Sequence, residues 1–168
     1  MERLIKNIRK KWLEAKKEAA RQCGAKGDLR LAQRILDCNM FTGAESLEGL
    51  IDLMFSPQGI EFLTTFNFPD LATFRKFKKY HPERYGVYID SGEISLSEPR
   101  RAFLIGNTNA KIIYRQTAGN RLNLMCGATA YVVAEGYSLI RIEKDSDSAV
   151  SVDAEPHAKI LMLSLIHI

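Results

Sequence analysis

Asp145, Asp147 and Asp153 are a group of carboxylates in the C-terminal half of the chain, and a hard cation is what such a group could hold. Their order does not follow the ligand spacing of a calcium loop, and acidic residues in turns are ordinarily solvated, so no metal is expected. The three histidines, His81, His157 and His167, are scattered. The chain has no glycine-rich phosphate loop, no paired-cysteine motif and no nucleophile elbow. Cys23, Cys38 and Cys126 are odd in number and irregularly spaced, which speaks against a disulfide framework and against a zinc site. The expectation is a protein with no catalytic residues and no cofactor.

The other residues that could do chemistry are basic. Residues 1–84 contain sixteen Lys and Arg against eleven Asp and Glu, whereas residues 85–168 contain eight against nine, so the formal charge of +4 belongs to the N-terminal half. Lys6, Arg9, Lys10, Lys11 and Lys16 lie on one predicted helix and are the set that could contact nucleic-acid phosphates, with affinity from counterion release. The same helix carries Glu14 and Glu18, which suit a solvated face with local ion pairs. Its apolar positions Leu4, Ile8, Trp12 and Ala15 could instead form a seam for a partner helix, giving self-association.

The elements that must position these residues differ between the two halves. From residue 92 onwards a short motif recurs, a small residue followed by alternating apolar positions: GEISL (92–96), AFLIG (102–106), AKIIY (110–114), NRLNL (120–124), AYVVA (130–134), SLIRI (138–142), SAVSV (148–152) and AKILM (158–162). The first, fourth and seventh motifs start at positions 92, 120 and 148, the second, fifth and eighth at 102, 130 and 158, and the third and sixth at 110 and 138. Sets of three therefore recur with a 28-residue period. Period-two alternation predicts a strand at each motif, with its first, third and fifth residues facing inwards. The 28-residue return predicts a three-sided β-solenoid over 85–162, with an antiparallel meander or sandwich as the alternative. In this arrangement one column exposes polar residues such as Glu93 and Arg121. A second exposes Phe103, Ile105, Tyr131 and Val133. That apolar side is the predicted protein-binding surface, unless helices cover it.

The N-terminal half reads as helices, giving an α+β protein overall. A basic helical arm spans 1–40, with helices predicted over 2–22 and, from an Asp28 cap, over 28–38 with Leu31, Ile35 and Leu36 inside. A compact helical segment over 41–84 is expected to cap the first coil. It contains a helix over 44–55, another started by Ser56 and Pro57 and carrying Ile60, Phe62, Leu63 and Phe66, and a third from Pro69–Asp70 that ends at His81 before Pro82.

The segment FTGAESLEGLIDLMFSPQGIEFLTTFNFPDLATFRKFK (41–78), with YGVYIDSG (85–92) and IGNTNA (105–110), resembles a family of gut-bacterial proteins carried on phage or other mobile elements. The resemblance covers most of residues 38–162 and implies no catalytic residues. The last six residues, LSLIHI (163–168), resemble the translated end of a sequencing-library adaptor, which implies a non-native tail and a natural sequence that ends near Met162. With no signal-peptide pattern and no apolar run of membrane-spanning length, the chain is expected to be cytoplasmic. The expected function is a non-catalytic protein-interaction or structural module whose partner is another protein or a second copy. The rival expectation is a nucleic-acid-binding accessory protein that uses the basic helix.

Overall fold

The computed structural model describes residues 1–56, 58–60 and 69–164. They fall into two compact units, one of residues 1–76 and one that begins at Phe77. The division therefore lies at 76/77, not at the expected 84/85. Among the described residues, no helix is long and apolar enough to cross a membrane.

In the first unit α1 (Glu2–Ala25) buries Leu4, Ile5, Ile8, Trp12, Ala19 and Ala20, one stripe at helical spacing. Trp12 meets Phe41 edge-on with ring centroids 5.4 Å apart. The segment 1–40 is therefore packed into the same unit as the residues that follow it, and the separate arm expected from its charge is not found. Of the expected seam, Leu4, Ile8 and Trp12 are buried and Ala15 is half-buried, so the seam is not available to a partner helix.

The second helix, α2 (Leu29–Asp37), starts as expected: Asp28 accepts a hydrogen bond from the Leu31 N–H at 2.9 Å. Its interior differs from expectation. Leu31 and Leu36 are 41% and 44% exposed, and no residue of α2 is buried. Ala32 and Ile35 occupy the centre of its apolar arc, with Leu31 and Leu36 on the flanks. A nine-residue helix lying on α1 covers only that centre. Helix α3 (Leu47–Met54), capped by Ser46, buries Leu50, Ile51 and Met54. Ser56 caps the next turn, its Oγ accepting from the Gly59 N–H at 3.1 Å. The rest of the predicted helix, with Pro57, Phe62, Leu63 and Phe66, lies outside the described residues. Helix α4 (Leu71–Arg75) is capped by Asp70 and stacks Phe74 on Phe55 at 6.1 Å.

The second unit opens with two short 3-10 turns, Lys78–Tyr80 and Pro82–Tyr85, separated by His81 in the left-handed region at φ 54°. Nine strands follow: β1 (Val87–Ile89), β2 (Gly92–Ser97), β3 (Arg101–Ile105), β4 (Thr108–Tyr114), β5 (Gly119–Met125), β6 (Thr129–Ala134), β7 (Leu139–Lys144), β8 (Ala149–Ala154) and β9 (Lys159–Ser164). Odd-numbered strands form a five-stranded sheet and even-numbered strands a four-stranded sheet. Every ladder is parallel. The chain thus winds as a β-solenoid of about four turns, not as an antiparallel meander.

The inward set is the predicted one. Ala102, Leu104, Leu122, Leu124, Ile140 and Ile142 of one sheet meet Ala110, Ile112, Tyr114, Ala130, Val132 and Ala134 of the other in a single core. The predicted coil is corrected. Ala102 pairs with Leu122, Ala110 with Ala130 and Asn120 with Ile140. After the first coil the chain therefore makes a 20-residue return over two strands, not a 28-residue return over three. Relative to the motif starts, several ladders are offset by two positions. An even offset keeps each side chain on its own face, so the inward residues are unchanged while their stacking partners are not. Leu163 and Ser164 complete β9, and residues 165–168 of the predicted tail lie outside the described residues.

Candidate functional site

The 20-residue return redistributes the four residues predicted to bind protein. Phe103 and Ile105 point outwards from the five-stranded sheet and are 1% and 0% exposed. Tyr131 and Val133 point outwards from the four-stranded sheet, Tyr131 41% exposed and Val133 half-buried. The predicted patch is therefore not one surface. The expectation that an apolar side needs cover holds for Phe103 and Ile105, and for the same reason they offer no free surface.

Beside Phe103 the five-stranded sheet carries a polar cluster built by register. Arg101, Arg121 and Arg141 stack in one column, and Phe103, Asn123 and Glu143 in the next. Glu143 is 3% exposed. It accepts from Asn123 Nδ2 at 2.6 Å, from Arg121 at 3.2 Å and from Arg141 Nε at 2.7 Å. Burial acts to raise its pKa, but the hydrogen bonds from Asn123 and Arg141 and the two guanidinium charges outweigh it and hold the carboxyl below its ordinary value. A carboxylate with a depressed folded-state pKa adds stability that is present above the unfolded value and lost as pH falls through the folded one. Glu143→Gln is expected to cost about 1–3 kcal/mol at neutral pH. The difference from wild type should shrink as urea melts are taken below about pH 5.

The carboxylates of the turns also have structural work. Asp145 accepts from the N–H groups of Cys126 at 2.6 Å and Ser148 at 3.0 Å. Asp90 accepts from Asn107 at 2.9 Å, Glu98 from Arg115 at 2.6 Å and Glu155 from Gly136 at 2.7 Å. Each of these bonds, the Asp145–Ser148 bond apart, ties one coil to the turn of its neighbour. Asp90, Glu98 and Cys126 adopt positive φ in these turns. Asp153, expected in a turn, is on β8 and faces Tyr131 Oη at 3.5 Å. Among the described residues no three His, Cys, Asp or Glu side chains are grouped to share a metal. His81 lies 3.1 Å from Glu83, and His157 stacks on Tyr137 with ring centroids 5.0 Å apart.

The basic set on α1 is largely engaged within its own unit. Lys16 is buried, donates to the Cys38 carbonyl and lies 4.9 Å from the Trp12 ring centroid. Lys11 donates to Thr73 Oγ1 at 2.9 Å and pairs with Asp70 at 3.5 Å. Arg9 lays its side chain over Gly43. Lys6 and Lys10 are exposed beside Glu2 at 2.5 Å and Glu14 at 4.0 Å. The five predicted cations therefore do not converge on one phosphate track.

The outer face of the four-stranded sheet is open to solvent and is made of three rows in register. Glu93, Asn109, Thr129 and Ala149 form the first row, Ser95, Lys111, Tyr131 and Ser151 the second, and Ser97, Ile113, Val133 and Asp153 the third. All are exposed except Ile113 and Val133, which are half-buried and flank Tyr131. Lys111, Ile113, Ser151 and Asp153 were not among the residues expected in the site. The 20-residue spacing of Lys111, Tyr131 and Ser151, and of Ile113, Val133 and Asp153, is the sequence signal that groups them. Comparisons with family models, with curated proteins and with solved structures found no match.

Proposed function

We propose that the chain is a non-catalytic protein-interaction module and that its binding surface is the outer face of the four-stranded sheet, centred on Tyr131. One observation carries this reading: an ordered parallel sheet holds Ile113, Tyr131 and Val133 together in an open face rimmed by Ser, Thr, Asn, Lys and Asp. An apolar centre with an aromatic anchor and a polar rim is the layout of a protein interface. Asp145 and Glu155 are bonded to backbone N–H groups and Glu143 to arginine, which supports a structural role for these three carboxylates. The dispersal of Lys6, Arg9, Lys10, Lys11 and Lys16 lends the nucleic-acid reading no comparable support.

Photo-crosslinking tests the surface. A benzophenone side chain in place of Tyr131 is expected to give a discrete protein adduct, in concentrated pure chain or in cell extract. The adduct should be lost with Val133→Asp and absent when the probe replaces exposed Glu14. No adduct from position 131 in either setting, or equal adducts from 131 and 14, contradicts the assignment. Retention of the chain on nonspecific duplex DNA at low salt, lost when Lys6 and Lys10 become alanine, would favour the nucleic-acid reading instead.

A further inference from the structure

Resting on the assignment of that face as an interaction surface, we infer that its partner is a second copy of this chain, docked face to face about a two-fold axis parallel to the strands and running between β4 and β6. The register makes the face self-complementary about this axis. Rotation places β4 opposite β6 of the second copy and β2 opposite β8, and keeps each row against itself. Ile113 then meets Val133 of the second copy, and the reverse contact repeats it. Lys111 lies over the ring of the second copy's Tyr131, a cation–π pairing made twice. Asn109 faces Thr129, Ser95 faces Ser151, and the Ser97 hydroxyl faces the Asp153 carboxylate. Glu93 faces Ala149.

The three charges of the face, Glu93, Lys111 and Asp153, meet no like charge in this arrangement. Other axes do worse. An axis along the stacking direction sets Lys111 against Lys111 and Ile113 against Asn109. An axis through β6 sets Ile113 against Asp153. Of these three axes, only the one between β4 and β6 joins the whole apolar centre without opposing like charges. Aligned sheet packing accommodates such a contact at about 10 Å between sheets. Four strands of this length present a footprint of roughly 400 Å² per copy, below the size of stable specific interfaces and in the range of transient ones, so the dimer is weak and depends on concentration.

Sedimentation of the full chain between about 10 μM and 1 mM tests it. Wild type is expected to shift from monomer to dimer across that range. Tyr131→Lys, which opposes two lysines across the axis, should weaken the dimer at least about tenfold with the circular dichroism unchanged. Adding Lys111→Glu to Tyr131→Lys should restore it, because each Lys then faces a Glu. A wild type that stays monomeric overturns the inference. So does a Tyr131→Lys chain that dimerises as tightly as wild type, or a double variant that stays monomeric. A monomeric wild type whose position 131 still crosslinks to a different protein would overturn the self-pairing alone and leave the interaction surface standing.

Discussion

Replacement of Ile112 by alanine is expected to destabilise the solenoid by about 2–5 kcal/mol, measured by equilibrium urea unfolding. Ile112 has no solvent exposure and lies in a column with Leu96, Val132 and Val152. Its side chain also faces the inward residues of the opposite sheet, so truncation opens a cavity that neither sheet can close without breaking a ladder. The adjacent Lys111→Ala should change stability by less than about 0.5 kcal/mol, because Lys111 faces water. Equal losses at the two positions would contradict the assigned facing.

Asp145→Ala should cost about 2–4 kcal/mol, more than an ordinary turn substitution. The carboxylate satisfies the Cys126 N–H on the neighbouring coil and the buried Ser148 N–H in its own turn. Removing it leaves two backbone donors without that partner at a turn where Cys126 already holds φ at 58°. Asp145→Asn should lose less, since the amide oxygen can retain one bond. Stability in a stacked repeat is nearly a sum over coils and their interfaces, so hydrogen exchange should quicken most in β7 and β8. Unchanged protection there would mean that Asp145 is a solvated turn residue after all.

These effects explain how much of the molecule was legible in the sequence. Inward facing is a local property: Ile94, Ile112, Leu122, Val132 and Ile140 declare it through period-two alternation, and each lies on the inner face. Helix starts at Asp28, Ser56 and Asp70 are equally local, because one side-chain oxygen satisfies one N–H three positions on. The stacking of coils is not local. It is fixed where the chain reverses, by the left-handed residues Asp90, Glu98 and Cys126 and by acidic side chains that reach the next coil. The small residue at each motif start marked the strands and suggested a 28-residue return, which mixed the two sheets and joined Phe103 to Tyr131. Arg101, Arg121 and Arg141, together with Glu135 and Glu155, carry the true 20-residue period. The exposed leucines of α2 escaped prediction for a related reason: amphipathic spacing identifies an apolar arc but not how much of it one neighbour covers.

The position of the candidate face depends on that period, and disulfide trapping measures it directly. In a chain whose Cys23, Cys38 and Cys126 are replaced by serine, Thr129→Cys with Ala149→Cys places two thiols on register neighbours of β6 and β8. Neighbouring strands lie about 4.8 Å apart, within the span a disulfide bridges. This pair, related by the 20-residue period, should oxidise completely without loss of circular dichroism. Lys111→Cys with Leu139→Cys, related by the 28-residue period but on different sheets, should remain reduced. Oxidation of the 111/139 pair with the 129/149 pair left reduced would contradict the 20-residue coil and return Tyr131 to the same side as Phe103.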